Sequence, residues 1–218
     1  MKIVVAKKIL TANDEIAKEN LNRLDRAGVY CINILGSPGA GKTTLLEKLV
    51  KPLSEKLRLG VIEGDLATSR DAERIDALGI PTVQINTEGG CHLDANMVRS
   101  ALENLDLESL DLLLIENVGN LVCPSSYRLG ERHRVVVLSV AEGDDKVAKY
   151  PTMFQRVDTL VVNKTDLLPY VEYDLKRVYA DVQKVAPQIK MLEVSARTSE
   201  GIGALVDWLI AKRREFAG

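Results

Sequence analysis

Residues 36–43 read Gly36-Ser37-Pro38-Gly39-Ala40-Gly41-Lys42-Thr43 and satisfy every fixed position of the phosphate-cradling pattern G-x-x-x-x-G-K-[ST]. In that pattern the glycines let backbone N–H groups turn inward on phosphate oxygens. A helix starting there adds the positive end of its dipole. Lys42 then reaches the β- and γ-phosphates, and the hydroxyl of Thr43, followed by Thr44, is placed to ligate Mg²⁺. A second reactive group lies further on: Cys91-His92 follows Gly89-Gly90, and Cys123 precedes Pro124. Thiolate and imidazole suit Zn²⁺ and Ni²⁺. One chain offers only three such ligands, so a four-coordinate site needs water or a second chain. A site shared across the two-fold axis of a homodimer is the natural completion. The other two candidates read differently: Cys31, inside an apolar run, as core packing, and His133, before another run, as a surface residue.

The elements that must position these residues are legible as short apolar runs at 30–35, 59–63, 82–86, 112–116, 134–140, 159–163 and 191–194. Several are unbroken stretches of Val, Ile and Leu, the mark of parallel strands buried on both faces. Helical patterns separate them. Residues 13–27 carry an apolar face of Ile16, Ala17, Leu21 and Leu24, with Gly28 placed to end the helix. The helix after the phosphate loop is expected to run through Leu57. Thr68-Ser69-Arg70-Asp71 opens another, and Asp94 a third. This alternation predicts a three-layer α/β fold, a doubly wound and mostly parallel sheet with helices on both faces (the P-loop NTPase fold). Residues 1–218 are expected to form one domain, with 1–28 a helical extension. In such sheets ligands gather at the carboxyl ends of the strands, and every motif follows a predicted strand.

Composition narrows the partners. The chain has 218 residues, 46% of them hydrophobic, with 29 basic and 31 acidic residues for a net charge of −2. That balance gives no general attraction to nucleic acid or anionic membrane. No apolar run approaches the roughly 20 residues of a membrane span, and the apolar stretch in Met1–Lys8 is too short for a signal peptide. A cytoplasmic protein is expected. Three cysteines are too few, and odd in number, for a disulfide framework.

The nature of the nucleotide rests on Asn163-Lys164-Thr165-Asp166, which ends a strand and resembles the N-K-x-D guanine signature of GTPases. The chemistry agrees, because a carboxylate accepts from both N1–H and the 2-amino group of guanine, and adenine offers neither donor there. By that resemblance Asp166 reads the base, Lys164 lies along its plane and Asn163 ties loops together. Ser195-Ala196-Arg197 resembles the second guanine loop, whose backbone N–H reads the base carbonyl. Glu116-Asn117-Val118-Gly119 stands where Ras-like GTPases carry D-x-x-G. Gly119 would offer its N–H to the γ-phosphate, and Glu116 would hold Mg²⁺ directly or through water. Asp65, ending the run Val61-Ile62-Glu63-Gly64-Asp65, would ligate Mg²⁺ or orient the attacking water. Glu63 is read as a strand-end residue facing solvent.

Taken together, residues 36–44 as GSPGAGKTT, 61–65 as VIEGD, 88–93 as EGGCHL and 116–124 as ENVGNLVCP resemble the nickel-insertion GTPases of hydrogenase assembly, the HypB family. The similarity extends from about Tyr30 onward. It implies GTP hydrolysis, nickel or zinc binding, GTP-linked dimerisation and delivery of nickel to a NiFe-hydrogenase precursor. Some family members carry an N-terminal cysteine-rich or histidine-rich nickel motif, and this N-terminus has neither. The metal function therefore falls on Cys91, His92 and Cys123. The related urease accessory GTPases carry a Cys-Pro-His string, whereas here Cys91-His92 is contiguous and Cys123-Pro124 separate. A regulatory GTP switch whose cysteines merely pack is the reading from another class. In both the metal-binding readings, the segment from Gly119 to Cys123 would join a γ-phosphate sensor to a metal ligand.

Overall fold

Burial on both faces is what the unbroken apolar runs encode, and the computed structural model of the chain, which describes residues 5–65 and 70–218, shows it in the five central strands of its sheet, while the two edge strands are partly exposed. Among the described residues seven strands form one sheet: β1 Tyr30–Gly36, β2 Leu59–Asp65, β3 Thr82–Asn86, β4 Leu112–Glu116, β5 His133–Ser139, β6 Thr159–Asn163 and β7 Lys190–Glu193. The spatial order is β3-β2-β4-β1-β5-β6-β7. The pairings between these strands are all parallel, within the mostly parallel sheet expected.

Eight α-helices flank the strands among the described residues: α1 Val5–Arg26, α2 Lys42–Ser54, α3 Arg70–Asp76, α4 Ala95–Leu102, α5 Lys146–Lys149, α6 Pro151–Phe154, α7 Leu175–Val185 and α8 Ile202–Ala217. Side chains alternate across a strand, so β1 divides its residues between two layers. Ile32 and Ile34 pack with Leu46 and Leu49 of α2 and Leu205 and Leu209 of α8. On the other face Cys31 joins Leu24 of α1 and Val98 and Leu102 of α4, while Leu35 joins Val147, Phe154, Val178 and Val182. After β1 the chain winds to one side through β2, β3 and β4, then crosses to β5, β6 and β7. That reversal opens crevices at the carboxyl end of β1.

Several boundaries differ from the expected ones. α1 starts at Val5, well before residue 13, and ends at Arg26 with Gly28 at φ +70°. α2 stops at Ser54 rather than Leu57, because the chain must turn there to enter β2 at Leu59, and Leu57 N–H closes the turn on Leu53 O. The run expected at 134–140 begins one residue earlier, which draws His133 into the sheet. Asp94 caps α4 as expected, accepting from Met97 N–H at 2.8 Å. Thr68 and Ser69, and the first residues of the N-terminal stretch, lie outside the described residues. Among the described residues no helix is long and apolar enough to cross a membrane.

Candidate functional site

The phosphate loop is shaped by close approach. Gly41 has φ +89°, and a Cβ there would sit 2.7 Å from Asn163 Nδ2. At Gly36 a Cβ would come within 2.5 Å of Val137 O. Only glycine fits either position. Lys42 opens α2, is 7% exposed, and curls beneath its own loop to donate to Gly36 O (3.4 Å) and Ser37 O (3.3 Å). Thr43 Oγ1 donates to Glu116 Oε1 at 2.8 Å.

Glu116 ends β4 between β1 and β2, and its register partner on β2 is Glu63. Glu63 is 2% exposed, which corrects the expectation that it faces solvent. Since β2 continues to Asp65, Glu63 is an interior position of the strand. Residues i and i+2 share a face, so placing Asp65 in the site required placing Glu63 there too. Both line one cleft with Pro38, Gly39, Gly41, Lys42, Thr43, Thr44, Glu116 and Gly119. Arg74 of α3, not foreseen, lines the same cleft and pairs with Glu47 of α2 at 2.7 Å.

A second, mostly apolar slot adjoins it, lined by Gly41, Thr44, Asn163, Lys164, Asp166, Leu167, Ala196 and Arg197. Asn163 ties three segments. Its Nδ2 donates to Ala40 O (3.0 Å), and its Oδ1 accepts from Lys164 N–H (2.8 Å) and Ala196 N–H (3.1 Å). Lys164 adopts φ +63° and donates Nζ to Gly39 O at 2.6 Å. Asp166 is held at both oxygens: Ser195 Oγ donates to Oδ1 (2.5 Å) and Arg197 Nε to Oδ2 (2.8 Å). The hydrogen bond from Ser195, followed by the bond and charge of Arg197, keeps its carboxyl below the usual carboxylate range. Ser195 and Arg197 thus contribute side chains, where sequence reasoning assigned their loop only a backbone role.

The segment after β4 leads from this cleft to the sulfur ligands. Asn117 N–H donates to Ile34 O (3.0 Å), and its buried side chain accepts from Leu93 N–H (3.1 Å) and donates to Asn33 Oδ1 (3.3 Å). Gly119 lies against Pro38, where a Cβ would be 2.9 Å from the proline backbone. Asn120 N–H donates to Gly36 O (3.0 Å), and its Oδ1 accepts from Val122 N–H (2.7 Å) and Cys123 N–H (3.3 Å).

Cys91, His92 and Cys123 meet as the sequence suggested: one ligand atom from each lies within 4.8 Å of the others. Cys91 Sγ is 3.5 Å from His92 Nδ1. The hydrogen bond with Cys123 raises the pKa of the Cys91 thiol, and burial lowers that of His92. The His92 ring rests on Tyr127, centroids 4.0 Å apart. Two thiols and an imidazole at this spacing suit a borderline-soft divalent cation, whereas Thr43, Asp65 and Glu116 present hard oxygen donors suited to Mg²⁺. Cys31 lies outside both groups, fully buried, its thiol pushed well above the ordinary value by burial. His133 is not a surface residue: its side chain is 12% exposed, Nε2 lies 3.1 Å from Thr159 Oγ1, and the ring meets Trp208 edge-on. It opens β5, at the end of the strand away from the cleft.

Known proteins resemble this chain along most of its length. Residues 30–193 match the family model described as CobW/HypB/UreG, nucleotide-binding domain. The hydrogenase maturation factor HypB of Rhizobium leguminosarum bv. viciae is 50% identical over 207 residues, covering 95% of this chain and 69% of that protein. The hydrogenase/urease maturation factor HypB of Helicobacter pylori (strain J99) is 42% identical over 217 residues, covering 98% of this chain and 89% of that one. A crystal structure of HypB from Helicobacter pylori in complex with nickel superposes with a TM-score of 0.89 at 42% identity, covering 94% of this chain and 96% of that chain.

Proposed function

The chain belongs to the CobW/HypB/UreG family of nucleotide-binding domains, and from that premise we propose that it hydrolyses GTP and couples the turnover to binding and handing on nickel during maturation of NiFe-hydrogenase. The observation that carries this reading is the convergence of Cys91, His92 and Cys123 at the end of a loop that starts in the phosphate cleft.

In this reading Lys42 leaves the carbonyls of Gly36 and Ser37 and holds the β- and γ-phosphate oxygens. The N–H groups of residues 36–44 surround the phosphates, and that of Gly119 meets the γ-phosphate. Thr43, Asp65 and Glu116 would hold Mg²⁺, which would supply positive charge to offset that of the phosphates. Asp65 holds or orients the attacking water. Asp166 reads guanine once Arg197 swings away, while Ser195 keeps its other oxygen in place. Cys91, His92 and Cys123 take Ni²⁺, or Zn²⁺, as cargo. A homodimer formed around GTP would complete the coordination across its two-fold axis, and a hydrogenase precursor in the cytoplasm would receive the metal. Residues 1–218 act as one P-loop domain, with 1–28 a helical extension. Urease is a second client to consider, since the Helicobacter pylori relative is named for both enzymes.

The test is one protein sample assayed twice: Ni²⁺ binding by equilibrium dialysis, and turnover of GTP against ATP. Stoichiometric nickel lost in Cys123→Ala, with turnover confined to GTP, is the expected result. A GTPase that binds no stoichiometric metal would instead be a regulatory switch.

A further inference from the structure

The two loops that carry the sulfur and imidazole ligands are bound to each other by α1, through residues that the phosphate-binding and guanine-binding motifs do not include. Asn13 and Asn20 are seven positions apart, so they share a face of the helix, and they are 7% and 1% exposed. Asn13 Oδ1 accepts from Ala95 N–H at 2.9 Å, and its Nδ2 donates to Arg128 O at 2.9 Å. Asn20 Nδ2 donates to Ala95 O and to Leu129 O, both at 2.8 Å. Ala95 follows His92 by three residues, and Arg128 and Leu129 follow Cys123 by five and six. Each asparagine therefore grips the backbone behind both ligand loops. Gly130 permits the approach: with φ +108°, a Cβ there would meet Asn20 Cβ at 2.5 Å.

Packing alone does not account for these residues. Asparagine is a poor helix former, and burying an amide is costly unless its hydrogen bonds are made. A leucine on this face would join the apolar layer that Leu24 already enters. What the amides add is direction, since each bond fixes one loop backbone at one distance from the helix.

We propose that Asn13 and Asn20 are positioning residues of the metal site, setting the separation of the Cys91-His92 loop from the Cys123 loop. The inference rests on the reading that these three side chains hold nickel. α1 is thereby a brace for the site, because Asn13 and Asn20 each bond the backbone behind both ligand loops.

The experiment titrates Ni²⁺ into the full-length wild type and the variants Asn13→Ala, Asn20→Ala, Leu24→Ala and Cys123→Ala. Affinity, the thiolate-to-nickel absorption band, GTP affinity and Tm are read on the same samples. Supporting residues behind metal ligands typically change affinity by about 10–100-fold. Both asparagine variants are expected to weaken nickel by about tenfold or more and to shift the absorption band, with GTP affinity in the absence of nickel unchanged. Leu24→Ala controls for helix stability, because it cuts a buried side chain of α1 that offers no hydrogen bond to either loop. It should lower Tm and leave nickel affinity in place. If Asn20→Ala does not fold, Asn13→Ala carries the test. Wild-type nickel binding in the asparagine variants, or an equal loss in Leu24→Ala, overturns the proposal. Wild-type nickel binding in Cys123→Ala overturns the site assignment and the brace with it.

Discussion

Thr43 donates its hydroxyl to Glu116 Oε1 across 2.8 Å, joining the first turn of α2 to the carboxyl end of β4. A hydroxyl and a carboxylate held in contact beside a phosphate loop have the spacing of two oxygen donors in one coordination sphere, as proposed for Mg²⁺. Thr43→Ala should therefore lose turnover most severely at limiting Mg²⁺, whereas Lys42→Ala, which removes charge from the phosphates, should lose it at every Mg²⁺ concentration. Steady-state GTP hydrolysis across a Mg²⁺ series separates the two. Normal hydrolysis by Thr43→Ala at limiting Mg²⁺ would remove it from the metal.

Asp65 ends β2 two residues after the buried Glu63 and lines the same cleft as Lys42. A group that holds Mg²⁺ or orients water matters most as charge develops in the transition state. Asp65→Ala is expected to lower kcat by about 100-fold or more with a smaller change in GTP affinity. The reverse pattern, normal kcat with poor affinity, would make Asp65 a binding residue only.

Asp166 meets Ser195 on one oxygen and Arg197 on the other. Replacing the carboxylate by an amide presents a donor to donors on the base, so Asp166→Asn should weaken GTP by about tenfold or more. Arg197→Ala removes the internal competitor for Oδ2 and is expected to leave guanine selectivity intact. Competition of GTP and ATP for a fluorescent guanine nucleotide reads both variants. Equal affinity of the wild type for the two nucleotides would end the guanine assignment.

The layered parallel sheet was legible because burial on both faces writes itself as unbroken Val, Ile and Leu runs, as at 112–116 and 159–163. The phosphate and guanine motifs were legible because their chemistry constrains consecutive residues. What stayed hidden depends on contacts between distant segments. Nothing adjacent to Asn13 or Asn20 announces that each holds a backbone about 75 to 115 positions away. Arg134 is another case: it reads as a charged residue near a strand edge, yet it is fully buried with Glu131 and donates to the backbone of Ser125 and Tyr127. Glu63 was misread for a different reason, since a carboxylate at the end of an apolar run looks solvated until the strand is known to continue.

His133 supplies a pH prediction. Burial disfavours its imidazolium and places its pKa below the ordinary value, with Lys212 acting in the same direction and Asp158 opposing. The unfolded chain therefore takes up this proton first as pH falls. Stability from this group is complete above the ordinary histidine pKa and declines below it. Tm should fall as pH drops below the ordinary histidine pKa of about 6.5, and His133→Asn should flatten that fall. The flattening is partial, because burial lowers His92 as well. An identical Tm profile in the variant would show that His133 does not titrate in the transition.

Metal and nucleotide are expected to be coupled through the segment that follows β4. Gly119 lies against Pro38 of the phosphate loop, Asn120 N–H is bonded to Gly36 O, and Asn120 Oδ1 holds the N–H groups of Val122 and Cys123. Asn117 extends the same segment to the other ligand loop by accepting from Leu93 N–H, next to His92. A γ-phosphate contact at Gly119 would order this segment and relax after hydrolysis, moving Cys123 relative to Cys91 and His92. Nickel affinity should then differ between GTP-analogue and GDP forms, and typical coupling energies of about 1–3 kcal/mol correspond to roughly 5–150-fold. Linkage requires nickel to change the GTP/GDP affinity ratio by the same factor. If the coordination is completed by a second chain, the GTP form is also the more dimeric one. Nickel titrations in GTP analogue, in GDP and without nucleotide, nucleotide titrations with and without nickel, and sedimentation on the same samples measure all three quantities. Equal nickel affinity in the three states would dismiss the coupling even with the metal site intact. Loss of nickel in Cys123→Ala would not restore it, because that result speaks only to ligation. Asn120→Ala isolates the link: it should leave GTP and nickel each able to bind while reducing the dependence of one on the other.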